Sequence, residues 1–308
     1  MTAVFIDGAA GTTGLEIRER LAGRIDLALV TLEEERRKDP AARAEALNDA
    51  DFVILCLPDE AAREGVALIR NERTRVIDAS SAHRVAEGWT YGFPELEPDG
   101  AARVAAAERV SNPGCYPTGF LALVRPLVRA GLIPADWPLT VNAVSGYSGG
   151  GKTLIERFRD APDLAFRAYA FDLSHKHLGE MRLHAGLAHS PVFAPSVSRA
   201  YRGMVVEVPL HAAALPGRPS RAAFLDALDA AYQNQSIIRV HDDMPDELLM
   251  CADAPPSDRL DVYVFGSPDD AQVRLVATLD NLGKGAGGAA VQNLNLMAGL
   301  DPLAGLVL

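Results

Sequence analysis

The stretch SNPGCYPTGF, residues 111–120, holds the side chain best suited to nucleophilic chemistry. Pro113-Gly114 forces a turn ahead of Cys115, and Pro117 suits the first turn of a helix continuing through Leu121 to Arg129. A cysteine just before such a helix meets the positive end of its dipole and its amide donors, which favour a thiolate and can hold an oxyanion. Cys56 is the contrast case, set in the apolar run FVILCL (52–57), where a thiol is buried and inert. SHKHLGE (174–180) places two imidazoles, His175 and His177, two residues apart, with Glu180 close behind. Histidines of this kind suit proton transfer near neutral pH. They could also approach a metal with Glu180 or His184 added, but H-E-x-x-H spacing is absent and no metal site is expected. DASSAHR (78–84) follows a parallel strand and ends in Arg84, whose planar fork suits a phosphoryl group.

Two glycine-rich loops point to phosphate in different ways. GAAGTTG (8–14) lies between the first strand and the first helix and reads G-x-x-G-x-x-G, a variant of the dinucleotide fingerprint. Gly8, Gly11 and Gly14 permit a tight turn, close approach to a pyrophosphate and close helix packing, with Thr12 and Thr13 opening the helix. Glu33 to Glu35 fall where an acid would hold an unphosphorylated ribose. However, the second strand ends at Thr31, and Arg36-Arg37 follow, which suits a ribose 2′-phosphate and favours NADP(H). GYSGGGKT (146–153) satisfies the nucleotide-hydrolase pattern G-x-x-x-x-G-K-[ST] literally. Its approach, Val141 to Ser145, is broken by polar residues, and a separate dinucleotide domain precedes it. A loop bordering substrate and nicotinamide is therefore preferred to an ATP site, although a kinase using this loop stays in play.

The elements that must position these groups change character along the chain. Ala3 to Ile6, Leu27 to Thr31, Phe52 to Leu57 and Val76-Ile77 read as strands. They alternate with helices at Thr12 to Leu21 and Asp59 to Arg70, the grammar of a parallel, doubly wound sheet. Beyond about residue 110, period-2 runs appear at Met204 to Leu210, Val262 to Phe265 and Val273 to Leu279, with a helix at Arg221 to Tyr232. That pattern predicts an α+β domain with a mainly antiparallel sheet, and Ala286 to Leu300 reads as a closing helix. The fold class is thus α/β, a Rossmann-type dinucleotide-binding domain plus an α+β catalytic domain.

Composition excludes several functions. With 308 residues, 48% hydrophobic and 23% charged, the chain has room for two cores. A net charge of −11 opposes nucleic-acid binding, since the one basic cluster is Arg36-Arg37-Lys38. Three cysteines without C-x-x-C spacing suggest neither a disulfide framework nor zinc. No apolar run approaches the ~18 residues of a membrane span, and a cytoplasmic protein is expected.

GAAGTTG, DASSAHR, YGFPEL (91–96), SNPGCYPTG, HKH with Glu180, and DNLGKGAGGAAVQNLN (280–295), in this order, resemble N-acetyl-γ-glutamyl-phosphate reductases of the shorter, second type, within the semialdehyde dehydrogenase superfamily. The resemblance implies reduction of an acyl phosphate to an aldehyde by NADPH through a Cys115 thioester, as in arginine biosynthesis, with no metal. It makes His175 the acid/base and assigns Arg84, Ser145, Tyr147, His177 and Glu180 to the substrate. Gly8, Gly11, Thr12, Thr13, Gly14, Thr31, Arg36, Arg37, Ser80, Lys284 and Gly285 fall to the cofactor. It implies an NADP-binding domain of residues 1–114 and 284–308 and a catalytic and dimerisation domain of residues 115–283. A homo-oligomer, dimer or tetramer, follows from the same likeness. A related acyl-phosphate reductase, of the aspartate-semialdehyde type, and a dinucleotide-sensing regulator without chemistry are the other readings.

Overall fold

A computed structural model describes the chain except for Glu33, Glu34, Arg37 and Lys38. It divides into two compact units: residues 1–94, 99–114 and 286–306 form the first, and residues 95–98, 115–285 and 307–308 the second.

In the first unit the elements run β1 (Thr2–Asp7), α1 (Thr12–Leu21), β2 (Leu27–Val30), α2 (Pro40–Asp49), β3 (Phe52–Leu55), α3 (Asp59–Leu68), β4 (Arg75–Asp78), β5 (Thr90–Tyr91), α4 (Gly100–Ala106) and β6 (Arg109–Ser111). The strands pair in parallel in the order β2-β1-β3-β4-β6-β5. The order reverses at β1 and β3, so the crevice beyond their C-terminal ends is where such sheets take ligands. Strand periodicity explains the apolar runs, because alternate residues of one strand enter two cores. Val4, Ile6, Phe52 and Ile54 pack with Ile17 and Leu21 of α1 on one face. Phe5, Val53 and Leu55 pack with Ala46, Leu47 and Ala62 of α2 and α3 on the other. Asp39 caps α2 by accepting from Ala41 N–H at 2.9 Å, with Pro40 in its first turn.

The second unit runs α5 (Cys115–Arg129), β7 (Thr140–Gly146), α6 (Gly151–Asp160), β8 (Phe166–Ala168), α7 (Leu178–Ala185), β9 (Val192–Ser198), β10 (Met204–Leu210), α8 (Arg221–Tyr232), β11 (Ile238–His241), β12 (Leu260–Gly266) and β13 (Val273–Leu279). Its sheet has the order β11-β12-β13-β10-β7-β9-β8. The pairings β12–β13, β13–β10, β10–β7 and β9–β8 are antiparallel, and β7–β9 and β11–β12 are parallel. Helix α5 packs on β10 and β13, and α8 on β11 and β12.

The chain returns to the first unit through α9 (Gly288–Met297). This helix is shorter than the predicted Ala286 to Leu300: residues Gly283–Gly287 form a wider π turn ahead of it, and it ends at Met297. Cys115, expected just ahead of a helix, is the first residue of α5. Among the described residues, no helix is long and apolar enough to cross a membrane.

Candidate active site

In the first unit, the glycine loop passes from β1 into α1 under tight steric control. Gly8 has φ +90°, and a Cβ there would lie 2.3 Å from the Cys56 carbonyl oxygen; at Gly14 it would lie 2.5 Å from the Gly8 oxygen. Both glycines are required by the fold itself. At Gly11 a Cβ would meet the Gly8 oxygen at 3.4 Å, an ordinary contact, so the fold does not demand glycine there. A side chain at that position would instead fill the space above the loop, where a pyrophosphate would sit. These residues fit a dinucleotide. Beside the loop lies a cavity of about 180 Å³ bordered by Gly8, Ala9, Ala10, Arg18, Thr31 and Leu32, among others.

Arg36 lies exposed, 3.6 Å from Glu45, and is not among the residues bordering the cavity. Arg37 lies outside the described residues. Ser80 is buried, and its hydroxyl donates to Asp78 at 2.7 Å, which also engages His83 Nδ1 at 2.7 Å. Arg84 is buried, its Nε donating to the Asn112 carbonyl at 3.0 Å and its Nη2 to the Ala79 carbonyl at 3.3 Å. Cys56 packs against the first unit's core, and burial, with Asp78 and Asp7 adding, pushes its thiol up to about 12. That cysteine is no nucleophile at neutral pH.

In the second unit, Cys115 opens α5 and is half-buried. Gly285 lies against it: a Cβ on Gly285 would stand 3.0 Å from Cys115 Cβ and 3.4 Å from its Cα. The next residue, Tyr116, anchors the helix start by donating its hydroxyl to the Ser196 carbonyl at 2.9 Å. Its ring faces His175 and His177 at centroid distances of 6.1 and 5.9 Å, and the two imidazoles are 4.7 Å apart. Thus the thiol's own neighbour and both expected histidines share one aromatic cluster, completed by Tyr169 and Phe193.

His175 departs from the expectation of a ring titrating near neutrality. Burial, with Lys176 adding repulsion, lowers its pKa to about 4. The backbone N–H of His177 donates to Nδ1 at 3.2 Å, so the neutral ring carries its proton on Nε2, which lies 3.3 Å from the Tyr169 hydroxyl. His177 and Glu180 are buried at the start of α7. Tyr169 and Phe193 escaped the sequence reading because β8 and β9 bring them together, and neither lies in a recognisable motif.

The loop after β7 answers the GYSGGGKT question. The N–H groups of Gly146, Tyr147 and Ser148 donate to the carbonyls of Gly203, Ala200 and Tyr201 at 2.8, 2.9 and 3.1 Å. A phosphate cradle needs such amides for its ligand, and here they tie the loop to the chain before β10. Lys152 is exposed on α6. Tyr147, expected at the substrate, stacks on Phe158 at 5.1 Å and meets Tyr201 edge-on at 5.5 Å. Ser145 is buried and donates to the Gly146 carbonyl at 3.0 Å. Lys284, expected at the cofactor, is buried in the second unit with Nζ 2.7 Å from Glu95. Glu95 falls within the YGFPEL motif, but its pairing with a lysine 189 residues away carries no signal in the sequence.

A parallel dinucleotide-type sheet with a glycine loop, joined in one chain to a unit that opens on a helix-start cysteine, defines a class. Residues 3–104 match the family described as "Semialdehyde dehydrogenase, NAD binding domain", and residues 115–281 "Semialdehyde dehydrogenase, dimerisation domain". The chain belongs to the semialdehyde dehydrogenase family, and within it to the N-acetyl-gamma-glutamyl-phosphate reductases. It is 50% identical over 307 residues, 96% of each chain, to "N-acetyl-gamma-glutamyl-phosphate reductase 2" of Pseudomonas putida. It is 46% identical over 317 residues to the protein of that name from Nostoc sp., covering 98% of each. In fold it is similar to the aspartate semialdehyde dehydrogenase II of Vibrio cholerae, with a TM-score of 0.71 over 97% of this chain and 98% of that one, at 16% identity.

Proposed function

We propose that the protein reduces N-acetyl-γ-glutamyl 5-phosphate to the 5-semialdehyde with release of phosphate, using NADPH. The observation that carries this reading is Cys115 at the start of α5, next to a tyrosine that faces the half-buried, neutral imidazole of His175 and the buried His177. The relatives' names supply the substrate.

Cys115 Sγ attacks the acyl carbon; the S–C bond forms as the C–O bond to phosphate breaks, and the thiol proton leaves with the phosphate. A dinucleotide held on the glycine loop by Gly8, Gly11 and Gly14 would supply the hydride that reduces the thioester. The resulting oxyanion on the Cys115 adduct takes a hydrogen bond from His175 Nε2–H. Collapse re-forms the carbonyl and breaks the C–S bond, and the thiolate recovers a proton from solvent. The α5 N-terminus favours the thiolate at both ends of this cycle. Arg84 is the proposed phosphate contact, with Ser145, His177 and Glu180 on the substrate side. The dimerisation unit makes a homo-oligomer the expected assembly.

The test is the reverse reaction with N-acetylglutamate 5-semialdehyde, phosphate and NADP⁺, read by NADPH absorbance, beside aspartate semialdehyde as rival substrate. Turnover of the acetylated semialdehyde, abolished in Cys115→Ala with NADP⁺ binding intact, is the expected result. Preference for aspartate semialdehyde would move the assignment to the sister activity, and an active alanine variant would remove the thioester.

A further inference from the structure

Arg18 occupies a position that helix chemistry does not explain. On α1 its neighbours at three and four residues are Gly14, Leu15, Leu21 and Ala22, so no carboxylate lies within reach along the helix. The next arginine behaves in the ordinary way, with Arg20 paired to Glu16 at 2.5 Å. Helical side chains lean toward the helix N-terminus. An arginine at position 18 therefore runs back toward the glycine loop, and Arg18 does border the cavity beside that loop.

The rest of that cavity is short of charge. Asp7 is the carboxylate on its wall, and Arg43 holds it at 2.6 Å while also donating to the Ala61 carbonyl at 2.9 Å. Asp7 and Arg43 neutralise each other. The exposed Thr31, just after β2, also borders the cavity, at the place where the ribose of a dinucleotide falls in this kind of sheet. Arg36 is directed to Glu45 instead. Among the described residues, then, Arg18 is the cavity's uncompensated cation, bordering the same space as Thr31.

We infer that Arg18, with the Thr31 hydroxyl, recognises the ribose 2′-phosphate and makes the protein selective for NADP(H) over NAD(H). The inference rests on the cofactor reading above and names the residue that carries it. A guanidinium gives a phosphate charge-assisted, often bidentate hydrogen bonds. The same group contributes little to an unphosphorylated ribose, so its loss separates the two cofactors.

The test measures Kd by calorimetry for NADP⁺, NAD⁺, 2′,5′-ADP and 5′-AMP on the full chain and on Arg18→Gln. The parent protein is expected to bind NADP⁺ and 2′,5′-ADP more tightly than their unphosphorylated counterparts. Arg18→Gln is expected to weaken NADP⁺ and 2′,5′-ADP by roughly 10- to 100-fold, with NAD⁺ and 5′-AMP changed less than about twofold. Retained NAD⁺ binding shows that the variant is folded. A discriminating parent whose Arg18→Gln variant still discriminates overturns the assignment to Arg18. Loss of discrimination in Arg36→Ala, with Arg18→Gln unaffected, does so as well. A parent that binds NADP⁺ and NAD⁺ alike overturns the NADP(H) reading itself, whatever Arg18 does.

Discussion

Replacing Gly285 by alanine distinguishes two roles for the segment after β13. If that glycine serves the cofactor, an added methyl weakens NADP⁺ binding and leaves the thiol alone. The structure favours the other role. The new Cβ would lie 3.0 Å from Cys115 Cβ, 3.1 Å from the Asp280 carbonyl oxygen and 3.4 Å from Cys115 Cα. None of these is the far end of a flexible side chain, so relief requires moving backbone. Ordinary contact begins at 3.4 Å, which asks for a shift of about 0.4 Å between Gly285 and the first residue of α5. The helix start resists, since Tyr116 is tied to Ser196 and Phe120 to Val124 are fully buried. A misplacement of about 1 Å costs roughly 10²-fold in rate, so 0.4 Å corresponds to a loss of roughly five- to tenfold in kcat. Overpacking adds about 1–3 kcal/mol of destabilisation, a fall of roughly 2–10 °C in Tm. Steady-state kinetics, the rate of iodoacetamide labelling at Cys115 and the Kd for NADP⁺ are measured together. The reference is Gly11→Ala, where the fold has room and the loss is expected in NADP⁺ affinity alone. Unchanged kcat and labelling in Gly285→Ala, with a raised Kd, would refute the seating of Cys115 by this glycine.

The remaining tests concern the second unit's other groups. Lys152→Ala is expected to leave kcat and Tm nearly unchanged and to reveal no lost MgATP affinity by calorimetry; lysine-dependent ATP binding would reopen the kinase reading. His175→Gln, whose amide can replace the Nε2–H donor, is expected to retain more kcat than His175→Asn, which loses roughly 10²–10³-fold. With the folded pKa at about 4, below the ordinary 6.5, the ring is neutral across the physiological range. No inflection in kcat near pH 6.5 then belongs to His175, and one that disappears in His175→Gln would contradict the neutral ring. The unfolded chain takes up this proton first as pH falls from 6.5 toward 4, so His175 lowers stability across that interval. The glutamine variant is expected to lose less Tm there than the parent.

The two units were legible in the sequence to different depths. In the first, fully apolar β3 and the glycine loop specify much of their surroundings: a strand buried on both faces needs two layers, and the positive φ of Gly8 and the Gly14 contact with the Gly8 oxygen are local demands, although Gly8 also lies against the distant Cys56 carbonyl. The antiparallel strands of the second unit were readable from period-2 alternation, and β10 and β13 have the bounds the pattern predicts. What alternation does not carry is partner choice. That β7 lies parallel to β9 and antiparallel to β10 decides which aromatic rings meet His175 and which carbonyls take the amides of GYSGGGKT.

The two histidines show the same limit in energetic form. HKH announces imidazoles, and a motif carries their unperturbed titration with it. The shift of His175 comes from burial, with Tyr169 and Phe193 among the rings around it, and from Lys176 beside it. The first cause depends on residues brought in by separate strands. GYSGGGKT is drawn away from a nucleotide loop for a parallel reason, because its spacing is intact but the amides of Gly146, Tyr147 and Ser148 already have acceptors in residues 200–203. In both places the residue types set what chemistry is available, and contacts from distant segments decide which proton or donor is free to perform it.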